Sequence, residues 1–112
     1  MTHGEIWWID FGIPSGSLPG YRRPAIIVQN DEICNRNLNT VVVIPITSDV
    51  SKAEYKPNLF LKKEETQLPK DSVALIHLIG AANKYSFVEK IGNLPEDSYN
   101  SLAKAVDTFI RN

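Results

Sequence analysis

The 112-residue sequence has a single cysteine, Cys34, so no disulfide can close within the chain. It has no apolar run approaching the ~18 residues of a membrane span. Its first residues, Met1-Thr2-His3-Gly4-Glu5, lack the basic start, apolar stretch and small-residue cleavage site of a signal peptide. A cytoplasmic chain without membrane association is expected. An excess of one charge is also missing: 12 Lys and Arg stand against 13 Asp and Glu, a formal net charge of −1. That balance excludes a uniformly basic nucleic-acid coat but leaves room for a local basic cleft. His3, His77 and Cys34 have no ligand spacing, so neither a metal nor another cofactor is expected. Low-complexity tracts, repeats of about 20–50 residues and internal linkers are absent too, which predicts one domain over residues 1–112. A chain of this length folds without staples.

What the chain does have, over its first three quarters, is a series of short apolar runs. They are Ile6 to Ile9 with Phe11, Ala25 to Val28, Val41 to Ile46, Leu59 to Leu61 and Val73 to Ile79. Each is strand-sized, rich in β-branched or aromatic residues and bounded by Gly, Pro, Asn or Asp. Five strands follow, with a further one possible at Phe87 to Ile91. Little polar alternation within the runs implies cover on both strand faces, by a closed barrel or another subunit. Adjacent Trp7 and Trp8 point to opposite faces, which puts one in the core and leaves the other for a subunit contact or for stacking a base. Lys62-Lys63-Glu64-Glu65 reads as a solvated turn.

The period then changes. Tyr99, Leu102, Val106, Phe109 and Ile110 fall on one helical face, and Pro95, Glu96 and Asp97 suit the helix start. The predicted fold is mainly β: a small antiparallel barrel with a C-terminal α-helix whose stripe packs on the sheet.

Residues 12–22, from Gly12 to Arg22, hold three Gly, two Pro and two Ser and join the first two strands. A hairpin connection is usually ~2–5 residues, and long ordered loops are often functional. Arg22 and Arg23 follow, adjacent in a strand and so directed to opposite faces. Arginine suits phosphate because its planar fork is always charged and binds in bidentate fashion, but a surface ion pair explains such a residue equally well. Thr47-Ser48 ends the third run; an isolated pair of this kind is by default a turn cap. If the second and third strands form a hairpin, Thr47 approaches Arg23, and the two make a phosphate site beside the loop.

Several stretches taken together are more specific. They are Gly4-Glu5-Ile6-Trp7-Trp8-Ile9-Asp10-Phe11, Gly16-Ser17, Arg22-Arg23-Pro24 through Gln29-Asn30-Asp31, Ile44-Pro45-Ile46-Thr47-Ser48 and Asp71-Ser72-Val73. In this order and spacing the chain resembles the MazF/PemK toxins. The resemblance implies an SH3-like barrel of the MazF/PemK/CcdB type that forms a homodimer. It also implies metal-independent cleavage of single-stranded RNA as the toxin of a type II toxin–antitoxin pair, with a cognate antitoxin as partner. It places catalytic roles on Arg23 and Thr47 and sets the loop around Gly16, Ser17 and Leu18 beside the RNA; Tyr21, Arg22, Asn30, Ser48 and His77 are further candidate RNA contacts. Attack of a ribose 2′-hydroxyl would leave a cyclic phosphate and a 5′-hydroxyl. Arginine is a poor general base at neutral pH, so the base stays unassigned.

Where many relatives carry a Gln, an Arg-Thr pair and an Asp, this chain has His77 to Lys84. A lone strand histidine is more often a packing residue, and a base contact or a titrating acid or base are the alternatives at His77. Two other readings follow: a catalytically weak RNA- or protein-binding module, suggested by that departure, and a gyrase poison of the same fold. The gyrase poisons share a C-terminal Trp-Gly-Ile that this chain, ending Phe109-Ile110-Arg111-Asn112, lacks.

Overall fold

In the computed structural model, which describes residues 1–18, 20–34 and 38–111 without the Cys34 side chain, an antiparallel sheet carries a C-terminal helix on one face. The strands are β1 (Glu5–Asp10), β2 (Arg22–Ile27), β3 (Thr40–Thr47), β4 (Leu59–Leu61), β5 (Ser72–Ala74), β6 (Gly80–Asn83) and β7 (Phe87–Asn93). The helices are α1 (Asp31–Cys34), α2 (Lys63–Thr66) and α3 (Glu96–Arg111). Hydrogen bonding runs β4-β5-β3-β2-β1-β7, with β6 also on β3. The expected mainly β fold with a terminal helix is present, but the sheet's bonding does not close into a barrel. Instead α2 contacts β7 and α3 contacts β4, and the Ser98 hydroxyl donates to Glu65 Oε1 at 2.5 Å, so the helices bridge the gap between the end strands.

The run Val73 to Ile79 is not the single strand that its composition predicts. Ala74 lies opposite Ile46 and Gly80 opposite Val43, so five residues, 75 to 79, face only two, 44 and 45. The surplus is taken up by a 3₁₀ turn over Ile76–Leu78. Pro45 supplies the reason. Leu75 N–H donates to the Pro45 carbonyl at 2.9 Å, so this edge of β3 is where Pro45 would offer an N–H, and proline has none. The ladder breaks there and resumes as β6.

Both faces of the sheet are buried, which accounts for the weak alternation. One face joins Ile6, Ile26, Ile44 and Ile46 to Leu102 of α3. The other gathers Ile9, Ala25, Ile27, Val41 and Val43 under Trp7, Phe11 and Phe87. Neither tryptophan is fully buried. Trp7 lies edge-on to Phe87 at 5.5 Å and its indole N–H donates to Glu5 Oε1 at 2.8 Å, and Trp8 is likewise only partly buried; β1 bulges against β7 on either side of this pair. Burial pushes the Glu5 carboxyl up, but hydrogen bonds from Trp7 and Thr2 and the charge of Lys90 outweigh it and hold the pKa below the usual value.

Helix α3 begins at Glu96, with the Pro95 carbonyl accepting from Tyr99 N–H at 2.9 Å. Its stripe packs only in part. Leu102 is fully buried and Tyr99 and Val106 lie against the core, but Phe109 is 42% and Ile110 67% exposed. Lys62 to Glu65, expected as a solvated turn, opens α2: Glu65 Oε2 accepts from Lys62 N–H at 2.7 Å, and Lys63 N–H donates to Asp71 at 2.9 Å. Leu102→Ala is expected to lower stability by about 2–5 kcal/mol, measured by urea unfolding; a loss under about 1 kcal/mol would mean that α3 adds little to the core.

Candidate nucleic-acid cleft

Pro24 decides where the site begins. The β2–β3 ladder has Ala25 opposite Pro45 as its last register pair, and Pro24 has no N–H with which to extend it. Carried two residues further, the same register sets Arg23 opposite Thr47, on the face shared by Ala25 and Pro45. Ile26 and Ile44 lie opposite each other, and Val28 N–H donates to the Val42 carbonyl at 3.1 Å. By alternation Arg23 and Thr47 therefore take the non-hydrogen-bonded kind of position, where facing side chains come closest. Both line two adjoining cavities of about 640 and 480 Å³, so they form the ridge between them.

The loop holds Arg23 from the other side. Phe11 N–H donates to the Tyr21 carbonyl at 2.8 Å and Tyr21 N–H to the Gly12 carbonyl at 2.5 Å, closing a neck below the loop. Gly12 and Tyr21 both take left-handed backbone angles, φ of 75° and 57°. At Gly20 an added Cβ would sit 2.5 Å from Pro14 atoms, so only glycine fits against that ring. The Gly20 carbonyl accepts from Arg23 Nε at 3.1 Å. One of the five guanidinium N–H donors is thus spent and the four on the terminal nitrogens remain. Among the described residues neither Arg22 nor Arg23 forms an ion pair, which removes the surface-pair explanation for both.

Thr47 Oγ1 accepts from Asp49 N–H at 3.2 Å, so the hydroxyl does cap the turn, and its own proton is still available to a ligand. Asp49 in turn starts the 3₁₀ turn Val50–Glu54, accepting from Ser51 Oγ at 2.6 Å; that bond holds its carboxyl below the ordinary pKa. The turn brings Lys52, Tyr55 and Lys56 to the larger cavity, where they join Ser17, Leu18, Asn58 and His77. The smaller cavity is lined by Trp8, Tyr21, Arg22, Ser48 and Lys70 among others. The two linings include Arg22, Arg23, Lys52, Lys56 and Lys70 and not one carboxylate, in a chain whose net charge is −1. Among the described residues this is a basic cleft with aromatic walls.

Of the residues expected in a site, Arg23, Thr47, Ser17, Leu18, Tyr21, Arg22, Ser48 and His77 are therefore brought together. Gly16 is not a lining residue; with φ 59° it turns the loop that carries Ser17 and Leu18. Asn30 lies elsewhere, past the far end of β2. Its Oδ1 accepts from Glu32 N–H at 2.8 Å to start α1. It borders a shallow hollow with His3, Asp31 and Tyr99, where the hydrogen bond that the His3 ring donates to the Asp31 carboxylate raises the His3 pKa despite some burial. Lys52, Tyr55, Lys56, Asn58 and Lys70 were not singled out from sequence. The interleaving of Lys52, Tyr55 and Lys56 was the available signal, since basic and aromatic residues alternate at nucleic-acid surfaces. Among the described residues no group of three His, Cys, Asp or Glu could hold a metal, and no helix is long and apolar enough to cross a membrane. The Cys34 side chain lies outside the described residues.

The chain and its fold are similar to known proteins. Residues 2–110 match the family described as PemK-like, MazF-like toxin of type II toxin-antitoxin system. Endoribonuclease MazF2 of Mycobacterium bovis is 37% identical over 111 residues, covering 99% of this chain and 94% of its own length. Endoribonuclease MazF of Staphylococcus saprophyticus is 32% identical, covering 96% and 88%. Among solved structures, MazF from Deinococcus radiodurans superposes with a TM-score of 0.80 at 18% identity, covering 100% of this chain and 97% of that one. A mycobacterial endoribonuclease in complex with its cognate antitoxin superposes with a TM-score of 0.73, also at 18% identity, covering 98% and 92%.

The neck of the loop can be tested directly. Gly20→Ala is expected to displace Pro14 and speed hydrogen exchange at the Phe11 and Tyr21 amides about fivefold or more, equivalent to roughly 1 kcal/mol. Unchanged exchange would mean that Pro14 moves aside freely.

Proposed function

Because the chain belongs to the PemK-like, MazF-like toxins of type II toxin–antitoxin systems, we propose that it is an endoribonuclease and that it cuts single-stranded RNA on the Arg23–Thr47 ridge. The observation that carries the assignment of the site is an unpaired guanidinium opposite a threonine hydroxyl, between two cavities without a carboxylate. Attack of a 2′-hydroxyl on the adjacent phosphorus forms the new O–P bond and breaks the bond to the 5′ oxygen. Negative charge builds on the non-bridging oxygens. The four terminal N–H donors of Arg23 stabilise it, and the Thr47 hydroxyl donates to a non-bridging or leaving oxygen. The 2′-hydroxyl gives up one proton and the departing 5′ oxygen takes one up, with no net change, so a 2′,3′-cyclic phosphate and a 5′-hydroxyl remain.

The flanking strand is held by the other cations. Arg22 and Lys70 lie on one side of the ridge and Lys52 and Lys56 on the other, a spread suited to phosphates on both sides of the cut. Single-stranded RNA fits better than duplex because exposed Tyr21 and Tyr55 offer rings to unstacked bases. The same lining suits an acidic segment of a cognate antitoxin, which would block the cleft by occupying it. We take the chain to work in the cytoplasm, as a homodimer and without metal.

Cutting of a long unstructured RNA in EDTA is expected, and Arg23→Ala is expected to slow it by at least about 10²-fold with an unchanged circular dichroism spectrum. Thr47→Val should cost about 10-fold or more and Thr47→Ser much less, since serine keeps the donor. Undiminished cutting by folded Arg23→Ala would remove that residue from the chemistry. Separately, sedimentation equilibrium should give the mass of two chains; a single-chain mass at working concentrations would overturn the homodimer.

A further inference from the structure

The larger cavity contains more than the phosphate site needs. Asn58, only 9% exposed, lies on its wall between the Val50–Glu54 turn and the Ile76–Leu78 turn. Its Nδ2 donates to the Lys52 carbonyl at 3.2 Å, and only the amide nitrogen can make that bond. Oδ1 is therefore the atom that meets His77 Nδ1 at 3.0 Å. An amide oxygen only accepts, so Nδ1 carries the hydrogen. The neutral form of the imidazole with that tautomer has a bare Nε2 on the side of the ring away from Asn58, and His77 is exposed to the cavity. The buried amide sets which ring nitrogen meets a ligand.

Tyr55 completes the arrangement. It is 62% exposed on the same cavity, and Lys52 Nζ stands 5.7 Å from its ring centroid. An exposed ring, a fixed acceptor and two lysines beside the Arg23–Thr47 ridge match a nucleobase with its flanking phosphate.

We propose that this part of the cavity is a nucleobase subsite in which Tyr55 stacks the base and His77 Nε2 accepts a hydrogen bond from a ring imino N–H. Uracil, through N3–H, and guanine, through N1–H, satisfy that acceptor. Cytosine N3 and adenine N1 present a lone pair to it instead. The subsite rests on the ribonuclease reading and adds to it the choice of base next to the scissile linkage. Asn58 is a positioning residue: it acts by fixing the histidine tautomer.

The test uses the full chain and defined RNA. Sequencing the 5′ ends of fragments from a random-sequence single-stranded RNA should show uracil or guanine enriched at one position flanking the cut. An oligonucleotide carrying that site is then made with 3-methyluridine or 1-methylguanosine there, which deletes only the imino hydrogen and adds a methyl. Wild-type cutting of the methylated RNA is expected to fall about fivefold or more, the worth of one hydrogen bond of about 1 kcal/mol with the methyl clash added. His77→Phe, which keeps a ring but has no acceptor, should cut the two RNAs within about twofold of each other. Equal cutting of both RNAs by the wild type overturns the subsite alone, as does enrichment of only adenine or cytosine beside the cut. A ratio unchanged in His77→Phe removes His77 from it. If the wild type cuts no RNA at all, the ribonuclease reading falls and the subsite with it. Should His77→Phe fail to fold, the wild-type ratio still decides.

Discussion

The site depends on a guanidinium that is held but not neutralised. Arg23 is tied through Nε to a backbone carbonyl, and a carbonyl orients a cation without cancelling its charge. Had a carboxylate taken that place, the fork would be occupied and phosphate would have to displace it. The carbonyl belongs to Gly20, which is positioned by the contact with Pro14 and by the neck between Gly12 and Tyr21. The long loop is therefore part of the cationic centre. A residue with a side chain at position 20 would shift the group that aims Arg23.

Two prolines shape the rest. Pro24 ends the β2–β3 ladder one residue inside Arg23, and Pro45 breaks the β3 edge where β5 gives way to the Ile76–Leu78 turn. Each removes a backbone donor at a point where a continuous sheet would leave no room for a cleft. The first gap leaves Arg23 and Thr47 facing each other without intervening backbone bonds. The second turns His77 out of the sheet and toward Asn58. Local loss of hydrogen bonding is offset by burial on both faces of β3.

Charge segregation accounts for the balanced composition. The chain is nearly neutral overall, yet its five cleft-lining cations have no acid among them, while Asp31, Glu96, Glu65 and Asp71 serve as caps and clasps elsewhere. A balanced total is compatible with an anion site because field depends on arrangement, and nearby charges dominate over distances of about 8–10 Å at physiological salt.

Much was determined by the sequence alone. β-branched runs marked most of the strands, the three-four spacing from Tyr99 marked α3, and Arg23 and Thr47, which the structure brings to one cleft, could be proposed as a pair because motifs of that order are local in the chain. Other features needed the tertiary structure. The division of Val73 to Ile79 depends on a missing N–H in a different strand, the exposure of Phe109 and Ile110 on which residues of α3 meet the core, and the distance of Asn30 from the cleft on the direction of β2. Lys52, Tyr55, Asn58 and His77 are spread over 26 positions and meet only because two 3₁₀ turns fold to one side of β3. Periodicity and motif order report on neighbours along the chain. A cavity wall is made of neighbours across it, and which residues those are is decided by strand register and by how far each turn reaches.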